Sequence, residues 1–277
     1  MAFNDWLNRR TLYTPDRVAV VDDSTGAAYT YGQLDRQANV VASYLQHQLG
    51  LAAGDRVACL SGNRLEYLSL YFACGKLGVV LTPLNYRLPP AAAVELIADC
   101  RPALLVYESQ FAKVAKANLP CPAMRLDRCE SNEQTSIAAI ASGDGAELPP
   151  PAIHASAETD VAMILYTSGA TGRPKGAMIS WRQIHFNALN TIIGLGLTQE
   201  DVAFLNMPLY HTGGWHVLFT PLMLLGGRVV LQTRFDPVRC NDRTGPEGVT
   251  ILFAIPTMMR MMWEADNFQQ ADLSRVR

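Results

Sequence analysis

The sequence carries little charge: 17% of its 277 residues are Asp, Glu, Lys or Arg, and the formal net charge is −2. So weak a field offers no basic surface for nucleic acid or anionic lipid, and neither is expected as a partner. Paired cysteines are also missing. Cys59, Cys74, Cys100, Cys121, Cys129 and Cys240 are scattered without Cys-x-x-Cys spacing, which excludes a zinc ribbon or disulfide framework and suits a reducing compartment. Long apolar runs are absent, because the most apolar stretch, His216 to Leu225, is cut by Pro221 and too short to span a bilayer. The first ten residues lack the apolar core of a secretory leader. A cytoplasmic location is therefore expected. With 49% apolar residues, the chain can bury a proper core as one large domain or two joined ones.

Helix and strand signals alternate through the first half. Thr30 and Gln33 form a capping box, after which Leu34, Ala38, Val41, Leu45 and Leu49 repeat at helical spacing up to Gly50. Residues 56–61 read as a strand, and Asn63 with Glu66 as the cap of a helix that includes Leu68 and Phe72. Another strand at 79–81, a helix at 90–100 and a strand at 103–107 follow. Strands and helices alternating at this length imply an α/β fold with parallel strands and crossover helices. Residues 127–160 are rich in Ser, Ala, Gly, Glu and Pro, with only Ile137 and Ile140 as an apolar pair, and read as a surface connector.

That connector leads into Tyr166-Thr167-Ser168-Gly169-Ala170-Thr171-Gly172-Arg173-Pro174-Lys175-Gly176, flanked by short apolar strands at 161–165 and 177–179. Its glycines let backbone N–H groups converge on an anion. Thr167, Ser168 and Thr171 add hydroxyl donors, and Lys175 a mobile positive charge. These are the residue types that hold phosphate. The Walker pattern is excluded because Lys175 is followed by Gly176, not Ser or Thr, and the dinucleotide fingerprint by its spacing.

The stretch resembles the phosphate-binding signature of the adenylate-forming synthetases, which include acyl-CoA synthetases, aryl-CoA ligases and the adenylation domains of peptide synthetases. It departs at Ala170, where the family usually has Ser or Thr. The phrases Gly54-Asp55-Arg56-Val57 and 76–88, with Pro83-Leu84-Asn85-Tyr86-Arg87, are similar to the family's N-terminal core motifs; Arg87 is given no role. The resemblance implies layered αβ sheets, with residues 56–180 as a first subdomain and 1–55 plus 181–277 as a second. It covers the N-terminal half of such an enzyme. The adenine and ribose contacts and the mobile C-terminal domain with its catalytic lysine have no counterpart within these 277 residues.

Residues 181–196 read as a helix and 203–207 as a strand, followed by Pro208-Leu209-Tyr210-His211-Thr212-Gly213-Gly214-Trp215. A histidine at a strand end before two glycines leaves open backbone beside an aromatic wall, as a pocket for an apolar group requires. By resemblance, His211 borders the substrate carboxylate, while Trp215 with Gly213 and Gly214 shapes the acyl entrance. His216 is given no role. No Asp or Glu lies between Met207 and Met223, so a substrate ammonium would go unpaired, and an acid without an α-amine is expected, a fatty one ahead of an aryl one.

The implied reaction activates a carboxylic acid with ATP to an acyl-adenylate and passes it to CoA. Thr167, Ser168, Gly169, Ala170, Thr171, Gly172 and Lys175 would hold the phosphates, His211 and Lys175 would be catalytic, and Mg²⁺ would accompany ATP near Thr171. Two alternatives stand: a carrier-protein thiol as acceptor, and a truncated, non-catalytic nucleotide- or acyl-binding module. A homodimer is left open. Late in the chain, Thr244-Gly245-Pro246 is expected to break the short helix the family places there, and Met258, Met259, Met261 and Met262 read as core filler on a helix.

Overall fold

A computed structural model describes residues 4–128, 135–143, 148–167 and 174–277. The strands are β1 (Val18–Asp22), β2 (Ala28–Thr30), β3 (Arg56–Leu60), β4 (Val80–Pro83), β5 (Leu104–Tyr107), β6 (Ala123–Arg125), β7 (Val161–Thr167), β8 (Lys175–Ser180), β9 (Val202–Leu205) and β10 (Arg228–Leu231). They form a six-stranded sheet, β6-β5-β3-β4-β7-β8, and a four-stranded sheet, β2-β1-β10-β9. Within each sheet the strands are parallel except at one edge, where β8 and β2 run antiparallel to their neighbours. The chain is thus α/β with layered sheets, as expected. The six-stranded sheet draws all its strands from within residues 56–180, and the four-stranded sheet draws all of its from outside them.

One apolar core joins the sheets. Between Leu65 and Leu77 every helical residue except Glu66 is buried, the mark of a helix enclosed on all sides. It packs against the helix Tyr31–His47, whose buried stripe holds Leu34, Ala38, Val41 and Leu45. The expected capping box starts that helix: the Thr30 hydroxyl accepts from Gln33 N at 3.1 Å, and Gln33 Oε1 accepts from Thr30 N at 2.8 Å. Leu49 departs from the expected stripe, because the helix ends at His47 and leaves Leu49 exposed.

Several expectations are corrected. Asn63 caps nothing; the helix begins after Arg64 without a side-chain cap, and Glu66 pairs with the Arg64 guanidinium at 3.4 Å. Instead the buried Asn63 amide crosses to the other sheet. It donates to Met207 O at 2.9 Å and Gln232 O at 3.2 Å, and accepts from Leu209 N at 3.1 Å. Asn63→Ala strands these buried backbone groups and is expected to cost about 2–3 kcal/mol in urea unfolding.

Ile137 and Ile140 are buried in the main core, so that part of the 127–160 stretch is anchored through the short helix Ile137–Ala141. The helix Pro237–Thr244 forms after all, since its breaker comes only past its last residue; Asp236 caps it, accepting from Arg239 N. Its Arg243 meets the buried Asp23, at the end of β1, at 2.9 Å. On the helix Pro256–Glu264, Met258 and Met262 are buried while Met259 and Met261 are exposed, so only half the methionines fill core. Among the described residues, no helix is long and apolar enough to cross a membrane.

Candidate active site

The strand β7 ends at Thr167 and β8 begins at Lys175, the two facing each other across an antiparallel pair. This register brings the expected phosphate-loop ends together: the Thr167 hydroxyl donates to Lys175 O at 3.4 Å. Gly176 is required there, because a Cβ would lie 2.8 Å from the Ile164 methyl on β7. One residue before Thr167, the Tyr166 hydroxyl donates to Asp99 on the helix Pro90–Cys100 and ties the hairpin to the sheet's flank. The Lys175 side chain is exposed and makes no ion pair among the described residues. Ser168, Gly169, Ala170, Thr171 and Gly172 lie outside the described residues.

His211 arrives from the other sheet. After β9 the chain turns through Met207 and Leu209, both held by Asn63. His211 then begins the short helix Thr212–His216 without spending its imidazole on the cap. The ring is exposed and lies 4.6 Å from the Tyr210 ring. Desolvation, and secondarily the positive charge of Arg87, hold its pKa below the ordinary histidine value, which keeps the imidazole neutral near pH 7.

The loops after β4 and β9 meet, because Tyr86 and Tyr210 touch edge to face at 5.0 Å. β4 in turn pairs with β7. Parallel strands of both sheets therefore present their carboxyl ends, with His211 and the Thr167–Lys175 hairpin, on a shared side, where ligands of open α/β sheets bind. Arg87 and Tyr86 were not assigned from sequence. The signal available was their place just past a parallel strand's end.

The glycines and Trp215 differ from an open entrance. A Cβ on Gly214 would lie 2.6 Å from Pro208 O and 2.9 Å from Met207 O, so this glycine serves close backbone packing. Gly213 faces Phe253 and Met207: a Cβ there would lie 3.4 Å from the Phe253 ring and 3.7 Å from Met207 Cε. Trp215, expected at the acyl entrance, is wholly buried. Its indole N–H donates to Leu209 O, and its ring stacks on Tyr71 at 4.7 Å. Being large and apolar, it fills core where sequence spacing suggested a mouth.

His216 is buried, and neither ring nitrogen has a hydrogen-bond partner among the described residues. Burial lowers its pKa to about 4. Between the ordinary value and about 4, the unfolded chain binds a proton that the folded chain refuses, so stability falls as pH drops through this window. The loss approaches about 3 kcal/mol by pH 4. His216→Phe should flatten that part of the pH–stability curve, as measured by urea unfolding from pH 7 to 4.

A cavity of about 900 Å³ lies elsewhere, lined by Asn39, Tyr44, Lys76 and Pro149 among others, and contains none of these site residues. No cluster of three or more potential metal ligands occurs among the described residues.

The fold is shared with known proteins. The chain is 34% identical over 272 residues to feruloyl-CoA synthase of Amycolatopsis sp, covering 98% of this chain and 52% of that protein. It is 32% identical over 282 residues to indoleacetate–CoA ligase of Aromatoleum aromaticum, covering 100% of this chain and 54% of that one. The inhibitor-bound N-terminal domain of FACL13 from Mycobacterium tuberculosis superposes with a TM-score of 0.87 at 26% identity, over all of this chain and 68% of that one. ATP-bound MatB from Rhodopseudomonas palustris gives 0.86 at 28% identity, over all of this chain and 54% of that one. The chain thus spans about half the length of the curated relatives it matches. The model of the AMP-binding enzyme family covers residues 7–277, and the chain belongs to that family.

Proposed function

We propose that this chain supplies the phosphate- and acid-binding half of an enzyme that joins an apolar carboxylic acid to CoA at the expense of ATP. In the first step a carboxylate oxygen bonds to the α-phosphorus and the bond to pyrophosphate breaks, giving an acyl-adenylate. In the second the CoA thiol attacks the acyl carbonyl and AMP leaves. The observation that carries the reading is that Thr167 and Lys175, at the facing ends of β7 and β8, and the loop carrying His211 lie on a shared side, at the carboxyl ends of parallel strands from both sheets.

The exposed ammonium of Lys175 and the hydroxyl of Thr167 suit the β- and γ-phosphates, with Ser168, Gly169, Ala170, Thr171 and Gly172 completing the cradle. Negative charge spreads over the phosphoryl oxygens in such a transfer, so fixed donors and cations provide most of the catalysis. The site fits ATP with Mg²⁺, because that ion keeps mainly phosphate and water oxygens and needs few protein carboxylates. His211, neutral and beside Tyr210, can donate one N–H to the substrate carboxylate and orient it without pairing it as an ion. Gly213, Met207 and Phe253 offer the acid an apolar wall, and the stretch from Met207 to Met223 carries no Asp or Glu to hold an α-ammonium. CoA is the acceptor favoured by the relatives, which are CoA ligases by name.

The reading is tested by incubating the complete native protein with ATP, Mg²⁺, CoA and a panel of acids, and identifying products by mass. Equal amounts of acyl-CoA and AMP support it. Thioester formed only on a phosphopantetheinyl carrier protein would shift the acceptor, and no AMP with any acid would contradict it.

A further inference from the structure

The Asn63 side chain is 1% exposed and lies in the connection from β3 to the helix Leu65–Leu77, on the sheet that carries Thr167 and Lys175. Its carboxamide reaches the other sheet. Nδ2 donates to Met207 O at 2.9 Å and to Gln232 O at 3.2 Å, and Oδ1 accepts from Leu209 N at 3.1 Å. A primary amide offers the donor and acceptor of a peptide unit, so it brackets Met207 and Leu209 as a neighbouring strand would. Gln232 directly follows β10. One side chain therefore fastens the carboxyl ends of β9 and β10 to the end of β3.

The loop that hangs from this bracket carries the histidine. His211 comes two residues past Leu209; its N–H donates to Pro208 O at 3.0 Å and its carbonyl accepts from Gly214 N at 3.1 Å. The Tyr210 ring leans on Tyr86, beyond β4. The imidazole itself is exposed and caps nothing, so its place follows from its backbone, and that backbone is pinned at Met207 and Leu209. Asn63 is neutral, buried and spent on main-chain groups, so it acts on the reaction only through the loop. A shift of about 1 Å in a reacting group can cost about 100-fold in rate.

We propose that Asn63 is a positioning residue for adenylate formation, holding His211 in register with the phosphate site by tying the loop after β9 to the sheet that ends in Thr167. This rests on the acid-activating function proposed above. The signature is selective. Without the bracket the imidazole no longer meets the carboxylate in place, whereas the β7–β8 pair rests on its own ladder and on the Tyr166–Asp99 bond.

The test compares acid-dependent pyrophosphate exchange in the complete native protein, in Asn63→Ala and Asn63→Asp, and in Asn241→Ala as a control. Asn241 is also 1% exposed and gives its amide to a backbone carbonyl, Met262 O at 2.9 Å, away from the His211 loop. Asn63→Ala is expected to lower kcat/KM for the acid about 30-fold, with the KM for ATP within about 3-fold of wild type. Asn63→Asp, which still accepts from Leu209 N, should fall between, and Asn241→Ala should stay within about 3-fold. An unchanged kcat/KM in folded Asn63→Ala, an equal loss in Asn241→Ala, or a KM for ATP rising in step would each overturn the proposal.

Hydrogen exchange on the wild type needs no variant to fold. A ligand that requires the bracketed loop must strengthen the bracket in return. The Leu209 N–H is therefore expected to exchange about 10-fold more slowly when the acyl-sulfamoyl adenosine of an active acid is bound; an unchanged rate would overturn the proposal. A wild type without exchange of pyrophosphate for any acid would overturn the acyl-adenylate reading and this role together, a result distinct from an active wild type matched by its variants.

Discussion

Lys76→Ala is expected to destabilise the fold by about 3–5 kcal/mol, the largest effect of any single substitution considered. Lys76 is 1% exposed, yet it carries an ammonium. Its Nζ lies 2.9 Å from Asp5 Oδ1 and 2.8 Å from Asp35 Oδ1, and its carbonyl accepts from His154 N at 2.8 Å. Asp5 also caps the helix Trp6–Thr11, and Asp35 accepts from Asn39 at 3.0 Å within the helix Tyr31–His47. One ammonium therefore fastens three helices.

Removing it leaves two carboxylates facing each other with little solvent to screen them. The cost is that of stranded like charges, not only of a lost bond. Lys76→Met with Asp35→Asn removes one charge of each sign and should recover much of the loss. Urea denaturation of the single and double variants measures both. A loss below about 1 kcal/mol for Lys76→Ala would mean that water reaches the triad.

Lys175→Ala is expected to lower acid-dependent turnover by about 100-fold or more while leaving stability within about 0.5 kcal/mol. The side chain is exposed at the first residue of β8, so the fold asks nothing of its charge, whereas transferring phosphate asks for a cation. Lys175→Arg keeps the charge but not the compact ammonium, and should recover only part of the rate. A Lys175→Ala enzyme with full turnover would remove this lysine from the phosphate site.

The contrast between these two lysines shows what the sequence made legible. Lys175 stood out because glycines and hydroxyls surround it in the chain itself, and a loop that cradles phosphate is a local object. The capping box of Thr30 with Gln33 and the proline-started helix Pro90–Cys100 were legible for the same reason. Lys76 gave no signal, since its partners sit 71 and 41 positions away and only the packed helices bring them near.

Asn63 failed in an instructive way. Asn followed three residues later by Glu has the pattern of a cap, but backbone groups of the second sheet compete for the same amide and win. Strands β1 and β2 went unread: the parallel partner that seats β1 in its sheet is β10, more than 200 residues away, and β2 is a three-residue edge strand that pairs with β1. Trp215 held a spacing that suggested a mouth, and spacing says nothing about which side of a helix meets the core.

The central claim is that the hairpin and His211 activate a carboxylate as its adenylate. Exchange of labelled pyrophosphate into ATP, run without CoA on the complete native protein, tests it most directly because it isolates the first step. The account predicts exchange that requires an added apolar acid and collapses in Lys175→Ala. Exchange absent with every acid, or present to the same extent with no acid added, would contradict it.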